Sequence, residues 1–90
     1  MMTKGWFLYI LRCNDGTLYT GVTTDVRRRL KEHNSSSSGA KYTKTRRPVE
    51  VVYWTCFEDR SSAQKAEYKF KQLTRKQKEK IINEDRSFGY

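Results

Sequence analysis

The sequence is poor in the features that mark metal-thiolate, redox and membrane proteins. It has two cysteines, Cys13 and Cys56, and neither belongs to a Cys-x-x-Cys pair, so no metal or redox framework is indicated. No apolar run is long enough to cross a bilayer, and residues 1–5 lack the long apolar segment of a signal peptide. No internal repeat is visible. These absences predict a cytoplasmic protein with free thiols and no membrane partner.

Acidic residues are scarce compared with basic ones. Ten Asp and Glu stand against nineteen Lys and Arg, which leaves a formal net charge of +9. An excess of this size favours a polyanionic partner, because neutralising phosphates releases counterions and speeds encounter. The alternative is that the charge only keeps the protein soluble. A chain of 90 residues is the size of one domain, which we expect to span 1–90, with a core at about 5–84 and a frayed tail at 85–90.

The first 21 residues predict a β-hairpin. Residues 6–13 are apolar, aromatic and β-branched, Asn14-Asp15-Gly16 has turn chemistry, and a second strand begins at about residue 17. A two-residue loop would place Tyr9 and Tyr19 on opposite faces of the hairpin. A three-residue loop with a left-handed Gly16 instead pairs Tyr9 with Gly21 and brings both tyrosines to one face. We predict the second register.

The remaining residues predict one more strand and three helices. Residues 49–57 are apolar on both faces, which favours a central strand. Thr24 or Asp25 is predicted to cap a first helix that runs to about Asn34. Residues 35–39 predict a flexible break, and residues 41–47 predict a basic loop. A second helix is predicted to start at Ser61 or Ser62, and Thr74 with Gln77 predicts a capping box for a third helix. The order ββαβαα predicts an α+β fold, a three-stranded antiparallel sheet flanked by helices.

Glu67 is the least ordinary residue of the second helix. It follows Ala63 by four residues and precedes Phe70 by three, so it lies in the apolar stripe or on its edge. A desolvated, unpaired carboxylate costs several kcal/mol, and a bound Mg²⁺ with retained waters and phosphate oxygens would offset that cost. The alternative is a boundary glutamate that pairs with Lys71 one turn later.

Arg29 and His33 lie four residues apart on the first predicted helix. An arginine can clamp a phosphate at two points and remain charged, and a histidine can transfer a proton near neutral pH. The alternative is that Arg29 belongs to a solvated ridge with Arg27 and Arg28, and that His33 only frays the end of the helix.

Tyrosines and cations complete the candidate residues. Tyr9 and Tyr19 would ordinarily pack a core, but a phenol near a metal ion and cations loses its proton more easily. The segment 41–47 interleaves an aromatic ring with cations, as in surfaces that bind a nucleic-acid backbone and stack one base. The alternative is a solvated charged loop. We refer to five residues of this segment as the basic strip: Lys41, Tyr42, Lys44, Arg46 and Arg47.

Taken in order, these residues resemble the signature of the GIY-YIG nuclease domain. The correspondences are Tyr9 with the tyrosine of the first signature, Tyr19-Thr20-Gly21 with the second signature, Arg29 with the helix arginine, His33 with the histidine one turn later, and Glu67 with the metal-binding glutamate. The resemblance covers nearly the whole chain. It is closest to small stand-alone bacterial members, whose middle loop is similar to residues 39–44.

The resemblance implies a metal-dependent endonuclease that acts on DNA, or on RNA, and leaves a 5′-phosphate and a 3′-hydroxyl. Glu67 would hold one Mg²⁺ or Mn²⁺. Tyr9, assisted by His33, would take a proton from the attacking water, Tyr19 would position the water or the phosphate, and Arg29 would offset charge in the transition state.

Two other function classes stay open from the sequence. One is a nucleic-acid-binding module without turnover, or one that depends on a protein partner for targeting. The other is a protein-interaction domain in which the positive charge is incidental.

Overall fold

The computed structural model describes residues 5–35 and 39–84. Its sheet consists of β1 (Trp6–Arg12), β2 (Leu18–Thr23) and β3 (Glu50–Phe57), and its helices are α1 (Val26–Ser35), α2 (Lys41–Lys44), α3 (Arg60–Lys71) and α4 (Arg75–Glu84). The predicted α+β fold, an antiparallel three-stranded sheet flanked by helices, is confirmed. The predicted frayed tail and residues 36–38 of the predicted flexible break lie outside the described residues.

The β-hairpin has the three-residue loop that we predicted. Tyr9 lies opposite Gly21 in the register, and the amide of Cys13 donates a hydrogen bond to the Thr17 carbonyl at 2.8 Å. Gly16 has φ +86°, a left-handed conformation that glycine adopts without a Cβ penalty. Tyr19 lies two positions before Gly21, the partner of Tyr9, so the side chains of Tyr9 and Tyr19 emerge on the same side of the sheet.

The position of β3 differs from the prediction. The strand order is β2-β1-β3, so β3 is an edge strand, and the prediction of a central strand is wrong. The apolar residues that suggested a central strand are explained by side chains of other elements, which pack against both faces of β3. Val51 packs with the cluster around Tyr9, and Val52 packs with the cluster around Ile10. A strand can thus be apolar on both faces with one strand neighbour.

The two faces of β1 divide the core between the helices. Tyr9 and Leu11 pack on one face with Val26 of α1, whereas Ile10 packs on the other face with Phe70 of α3 and residues of α4. Within residues 5–35 and 39–84, no helix is both long enough and apolar enough to span a membrane. Since α1 covers the Tyr9 face, side chains from α1 and from the hairpin meet there.

Two predicted helix starts are confirmed by their capping bonds. The Asp25 carboxylate accepts a hydrogen bond from the Arg28 amide at 3.0 Å, so Asp25 rather than Thr24 caps α1. At α4 the Gln77 side chain accepts from the Thr74 amide at 2.9 Å, and the Thr74 hydroxyl accepts from the Gln77 amide at 3.2 Å. This reciprocal pair is the predicted capping box.

Two predictions for the second half of the chain are wrong in detail. Helix α3 begins at Arg60 and not at a serine, because the Asp59 carboxylate caps it by accepting a bond from the Ser62 amide at 2.8 Å. The segment predicted as a basic loop contains the short helix α2. A single turn of four residues has too little periodicity to be recognised from sequence.

Candidate active site

Tyr9 is the centre of the candidate site. It projects from β1, is 2% exposed, and has its hydroxyl 2.9 Å from Nε2 of His33. The Arg29 guanidinium donates a second hydrogen bond to the same hydroxyl. Burial, followed by the charge of Tyr19, raises the pKa of Tyr9 to about 12, so the phenol keeps its proton at neutral pH in the free protein.

Gly21 provides the space for the Tyr9 ring. A Cβ atom on Gly21 would lie 2.7 Å from the Tyr9 hydroxyl oxygen and 2.8 Å from its Cζ. Such distances are too short for any side chain, so the ring crosses directly over the glycine backbone. The glycine of the Tyr19-Thr20-Gly21 motif is therefore required by the packing of Tyr9.

Tyr19 lies beside Tyr9 and against the histidine. Its ring centroid is 6.4 Å from that of Tyr9 and 5.2 Å from that of His33, where the two rings meet edge to face. On another side the Tyr42 ring stacks on Tyr19 with centroids 5.9 Å apart and planes at 29°. The half-buried Tyr19 thus connects the hairpin with α1 and α2.

Helix α1 places Arg29 and His33 on the face that covers Tyr9. His33 is fully buried, and burial, followed by the charge of Arg29, lowers its pKa to about 4. The imidazole is therefore neutral near pH 7 and has one bare nitrogen available as a proton acceptor. Arg29 is half-buried and forms a 2.8 Å ion pair with Glu32, which holds the guanidinium over Tyr9. Both side chains lie beside the Tyr9 hydroxyl, so Arg29 is not part of a solvated ridge and His33 does not fray the end of the helix.

Glu67 interacts electrostatically with Tyr9. Its negative charge contributes to the raised pKa of Tyr9, so the carboxylate lies within electrostatic range of the phenol. The side chain is 21% exposed and pairs with Lys71 at 3.1 Å. The alternative that we described from the sequence, an i,i+4 pair at the boundary of the helix, is thus present together with the coupling to Tyr9.

A sequence model of the GIY-YIG catalytic domain matches residues 5–80 of this chain. The chain belongs to the GIY-YIG family. It is 54% identical over 77 residues to the UPF0213 protein DP2720 of Desulfotalea psychrophila, a match that covers 86% of this chain and 70% of that protein. It is 47% identical over 87 residues to the UPF0213 protein YazA of Bacillus subtilis, covering 97% of this chain and 87% of that protein.

Solved structures agree with this assignment. The solution NMR structure of the protein EF2693 from E. faecalis has a TM-score of 0.65 and 47% identity, and the match covers 98% of this chain and 93% of that chain. The UPF0213 protein BH0048 from Bacillus halodurans has a TM-score of 0.59 and 43% identity over 90% of this chain and 85% of that chain. The predicted resemblance is confirmed, and membership of the GIY-YIG family indicates nuclease-type chemistry and interaction with nucleic acid.

One more polar residue lies in the candidate site and was missed in the sequence. Thr43 of α2 is fully buried, and its hydroxyl oxygen is 2.9 Å from Nδ1 of His33. The helix reaches this position because Gly39 passes so close to α1 that a Cβ there would lie 2.6 Å from the Glu32 carbonyl oxygen. A lone threonine in a charged segment has no sequence signal for this contact. Residue spacing alone does not reveal it.

The basic strip divides into engaged and free cations. The Arg46 guanidinium lies 4.0 Å from the Tyr42 ring centroid and forms a 3.0 Å ion pair with Asp15, while Arg47 donates a hydrogen bond to the His33 carbonyl. These two arginines therefore hold the strip against the rest of the domain. The remaining cations of the strip are exposed and have no partner in the described part of the chain: Lys41 and Lys44.

The candidate site fits a divalent cation that binds together with the substrate. Among residues 5–35 and 39–84, no group of three or more His, Cys, Asp or Glu side chains gathers as a preformed metal cage. Glu67 is a single, partly exposed carboxylate within electrostatic range of Tyr9. Mg²⁺ is often bound in this way, by one carboxylate together with waters and substrate phosphate oxygens.

Proposed function

We propose that the protein is a metal-dependent phosphodiesterase that cuts DNA, or RNA, as an endonuclease. The observation that carries the proposal is the buried hydrogen-bonded pair of Tyr9 and His33, with the partly buried Arg29 and the ring of Tyr19 beside it. A core this small does not bury a hydrogen-bonded phenol and imidazole beside a guanidinium without a functional reason. Together they supply a proton acceptor and a positive charge at one place.

The proton path runs from water through Tyr9 to His33. The phenol oxygen takes a proton from the attacking water while its own proton moves to Nε2 of His33, 2.9 Å away. In the free protein this transfer is unfavourable, because the pKa of Tyr9 is about 12 and that of His33 about 4. In this proposal, the bound substrate and cation change the charges around the phenol and make the transfer easier.

Arg29 and Tyr19 act on the phosphate in this proposal. The guanidinium lies beside the Tyr9 hydroxyl and its side chain is 24% exposed, so its positive charge can act on a phosphate that enters the site. Tyr19 is held by rings on two sides, which positions its hydroxyl for the water or the phosphate.

Glu67 is the residue that would hold Mg²⁺ or Mn²⁺. When bound, such an ion would stabilise the charge that develops on the phosphate and on the leaving oxygen. In the free protein one oxygen of this carboxylate pairs with Lys71 at 3.1 Å. A substrate phosphate that pairs with Lys71 would release this oxygen and thereby favour binding of the cation.

The Glu67→Gln variant tests the proposal. Purified protein is incubated with labelled branched, duplex and single-stranded DNA and RNA, with Mg²⁺, with Mn²⁺ and with EDTA. We expect wild-type cleavage with either metal, and at least about a 100-fold loss for Glu67→Gln with binding intact, because the variant lacks the carboxylate that would hold the metal ion.

The control is Glu84→Gln, which makes the same chemical change at an exposed position of α4. It should cleave like the wild type. Equal cleavage by Glu67→Gln and wild type, or cleavage that persists unchanged in EDTA, would contradict the proposal.

The second candidate function is nucleic-acid binding without turnover. Two observations favour it: the carboxylate of Glu67 is engaged by Lys71, and the pKa of Tyr9 is far above neutral pH. It predicts retention on DNA at low salt that weakens as salt rises, with no metal-dependent product in the same assay.

A further inference from the structure

The second ring nitrogen of His33 faces a continuous set of polar atoms. Nδ1 lies 2.9 Å from the Thr43 hydroxyl oxygen, and that oxygen lies 2.8 Å from the carbonyl oxygen of Ala40. Both His33 and Thr43 are 0% exposed. On the other side of the ring, Nε2 lies 2.9 Å from the Tyr9 hydroxyl. Each of these short contacts is favourable only if one hydrogen atom lies between its two heavy atoms.

The carbonyl of Ala40 decides where the protons lie. A carbonyl oxygen only accepts, so the hydroxyl proton of Thr43 must occupy its 2.8 Å contact with Ala40. The hydroxyl oxygen then accepts the proton of Nδ1. Nε2 of the neutral ring is consequently bare and accepts the proton of Tyr9, whose oxygen in turn accepts from Arg29. In this arrangement each short contact contains a single proton.

One donor favours the opposite tautomer. The backbone amide of Ala40 points towards Nδ1 from 3.3 Å, which would suit a bare Nδ1 and a protonated Nε2. In that tautomer, however, Thr43 has one proton for two acceptors at 2.8 and 2.9 Å. Tyr9 would also receive two donors and would lose the acceptor for its own proton. Three contacts of 2.9 Å or less outweigh one of 3.3 Å, which is at the outer limit of a hydrogen bond.

We propose that Thr43 is a positioning residue that holds His33 in the Nδ1–H tautomer and thereby presents a bare Nε2 to Tyr9. The inference rests on the proposed function for its role in the reaction. In the step it prepares, the O–H bond of Tyr9 breaks and an N–H bond forms on Nε2, while the phenol oxygen takes a proton from the attacking water. The phenol is restored, the ring becomes an imidazolium, and the hydroxide attacks the phosphate. Nδ1 is a donor before and after the transfer, so Thr43 pairs with both forms of the ring.

The tautomer is measured directly by ¹⁵N NMR of the histidine ring. The chain has one histidine, so each ring nitrogen gives a single unambiguous signal in the folded protein. We expect a protonated Nδ1 and an unprotonated Nε2 in the wild type at pH 7. A wild type with a protonated Nε2 overturns the proposal without any variant and without an activity assay.

Thr43→Val tests the hydroxyl with little change in shape. Without the hydroxyl, the Ala40 amide is the remaining partner of Nδ1, so the signal should change to a protonated Nε2. Thr43→Ser restores the hydroxyl and should show the wild-type pattern. A Thr43→Val protein that is folded, as judged by its melting curve, and keeps a protonated Nδ1 contradicts the proposal.

Kinetics of the same variants separate this inference from the proposed function. We expect Thr43→Val to lower kcat by roughly 10- to 100-fold with little change in KM, as for other residues that orient a reacting group, and Thr43→Ser to recover most of that loss. Glu67→Gln should lose cleavage and keep the wild-type tautomer. A wild type with protonated Nδ1 and no cleavage on any substrate would contradict the proposed function alone, whereas equal kcat values for wild type and Thr43→Val would overturn the role of Thr43.

Discussion

Tyr9 and Gly21 come from neighbouring strands and share one volume. The Tyr9 ring passes so close to the glycine that an added methyl group would lie 2.7 Å from the hydroxyl oxygen. The Tyr9 ring cannot easily move away from such a methyl group, because its hydroxyl is also hydrogen-bonded to His33 and Arg29. At the residue scale, the motif glycine is thus a packing requirement and has no chemistry of its own.

We expect Gly21→Ala to destabilise the domain by about 1 to 3 kcal/mol, the usual cost of overpacking a core, with a parallel shift of the urea midpoint. A double-mutant cycle identifies the cause. In a Tyr9→Leu background, which has no hydroxyl or Cζ at that place, the same Gly21→Ala change should cost much less. Equal costs in the two backgrounds would show that the ring contact is not responsible.

A bidentate ion pair connects strand β1 with helix α4. The Arg12 guanidinium donates to both oxygens of Glu79, at 3.0 and 2.9 Å, and Arg75 donates to the same carboxylate at 2.8 Å. The hydrogen bond from Arg12 is the main cause that lowers the pKa of Glu79 to about 2. This contact belongs to the element scale, because it fixes a helix that has few core residues to the central strand.

The pH dependence follows from the sign of this shift. The folded pKa of Glu79 is about 2 and its ordinary value is 4.5, so the contribution is complete above pH 4.5 and is lost as pH falls towards 2. We expect Glu79→Gln to cost about 1 kcal/mol at pH 7, a modest amount because the pair is partly solvated. The difference from the wild type should shrink as pH falls from 4.5 to 2 in urea titrations. Glu84→Gln is the matched control, and a difference for Glu79→Gln that is constant with pH would contradict the assignment.

The positive charge of the whole molecule is distributed over surfaces that contribute unequally to binding. Of the basic strip, Arg46 and Arg47 already bind Asp15 and the backbone of His33, whereas Lys41 and Lys44 are exposed beside the ring of Tyr42. Tyr42 of the strip stacks on Tyr19, so these two lysines lie on an element that borders the candidate site. They should contribute to affinity in proportion to their charge.

At this scale we expect Lys41→Gln and Lys44→Gln each to reduce the slope of log K against log salt concentration by about 0.9 on duplex DNA, or somewhat less on single strands. The measurement is fluorescence anisotropy of a labelled oligonucleotide over a range of salt concentrations. Lys76→Gln and Lys80→Gln remove the same charge from exposed positions on α4 and should leave the slope nearly unchanged. A uniform decrease for all four variants would mean that only net charge matters.

Much of the fold was predictable because its signals are local. The loop Asn14-Asp15-Gly16 and the capping box at Thr74 act within a few residues, and both were confirmed. The position of β3 and the cap of α3 were mistaken for the opposite reason. Whether a strand is central depends on its pairing with strands that are distant in sequence. Asp59, Ser61 and Ser62 are all residue types that cap helices, and in the structure the carboxylate of Asp59 does so.

By itself the amino-acid sequence determined the residue types of the site and their places on elements: a tyrosine on each hairpin strand, and an arginine and a histidine one helical turn apart. Turn geometry and helical periodicity are properties of short segments, so these placements need no distant partner. The tertiary structure alone decided that His33 is buried and neutral and that Thr43 lies behind it. Such contacts depend on how closely separate elements pack, and burial in that packing sets which groups carry charge.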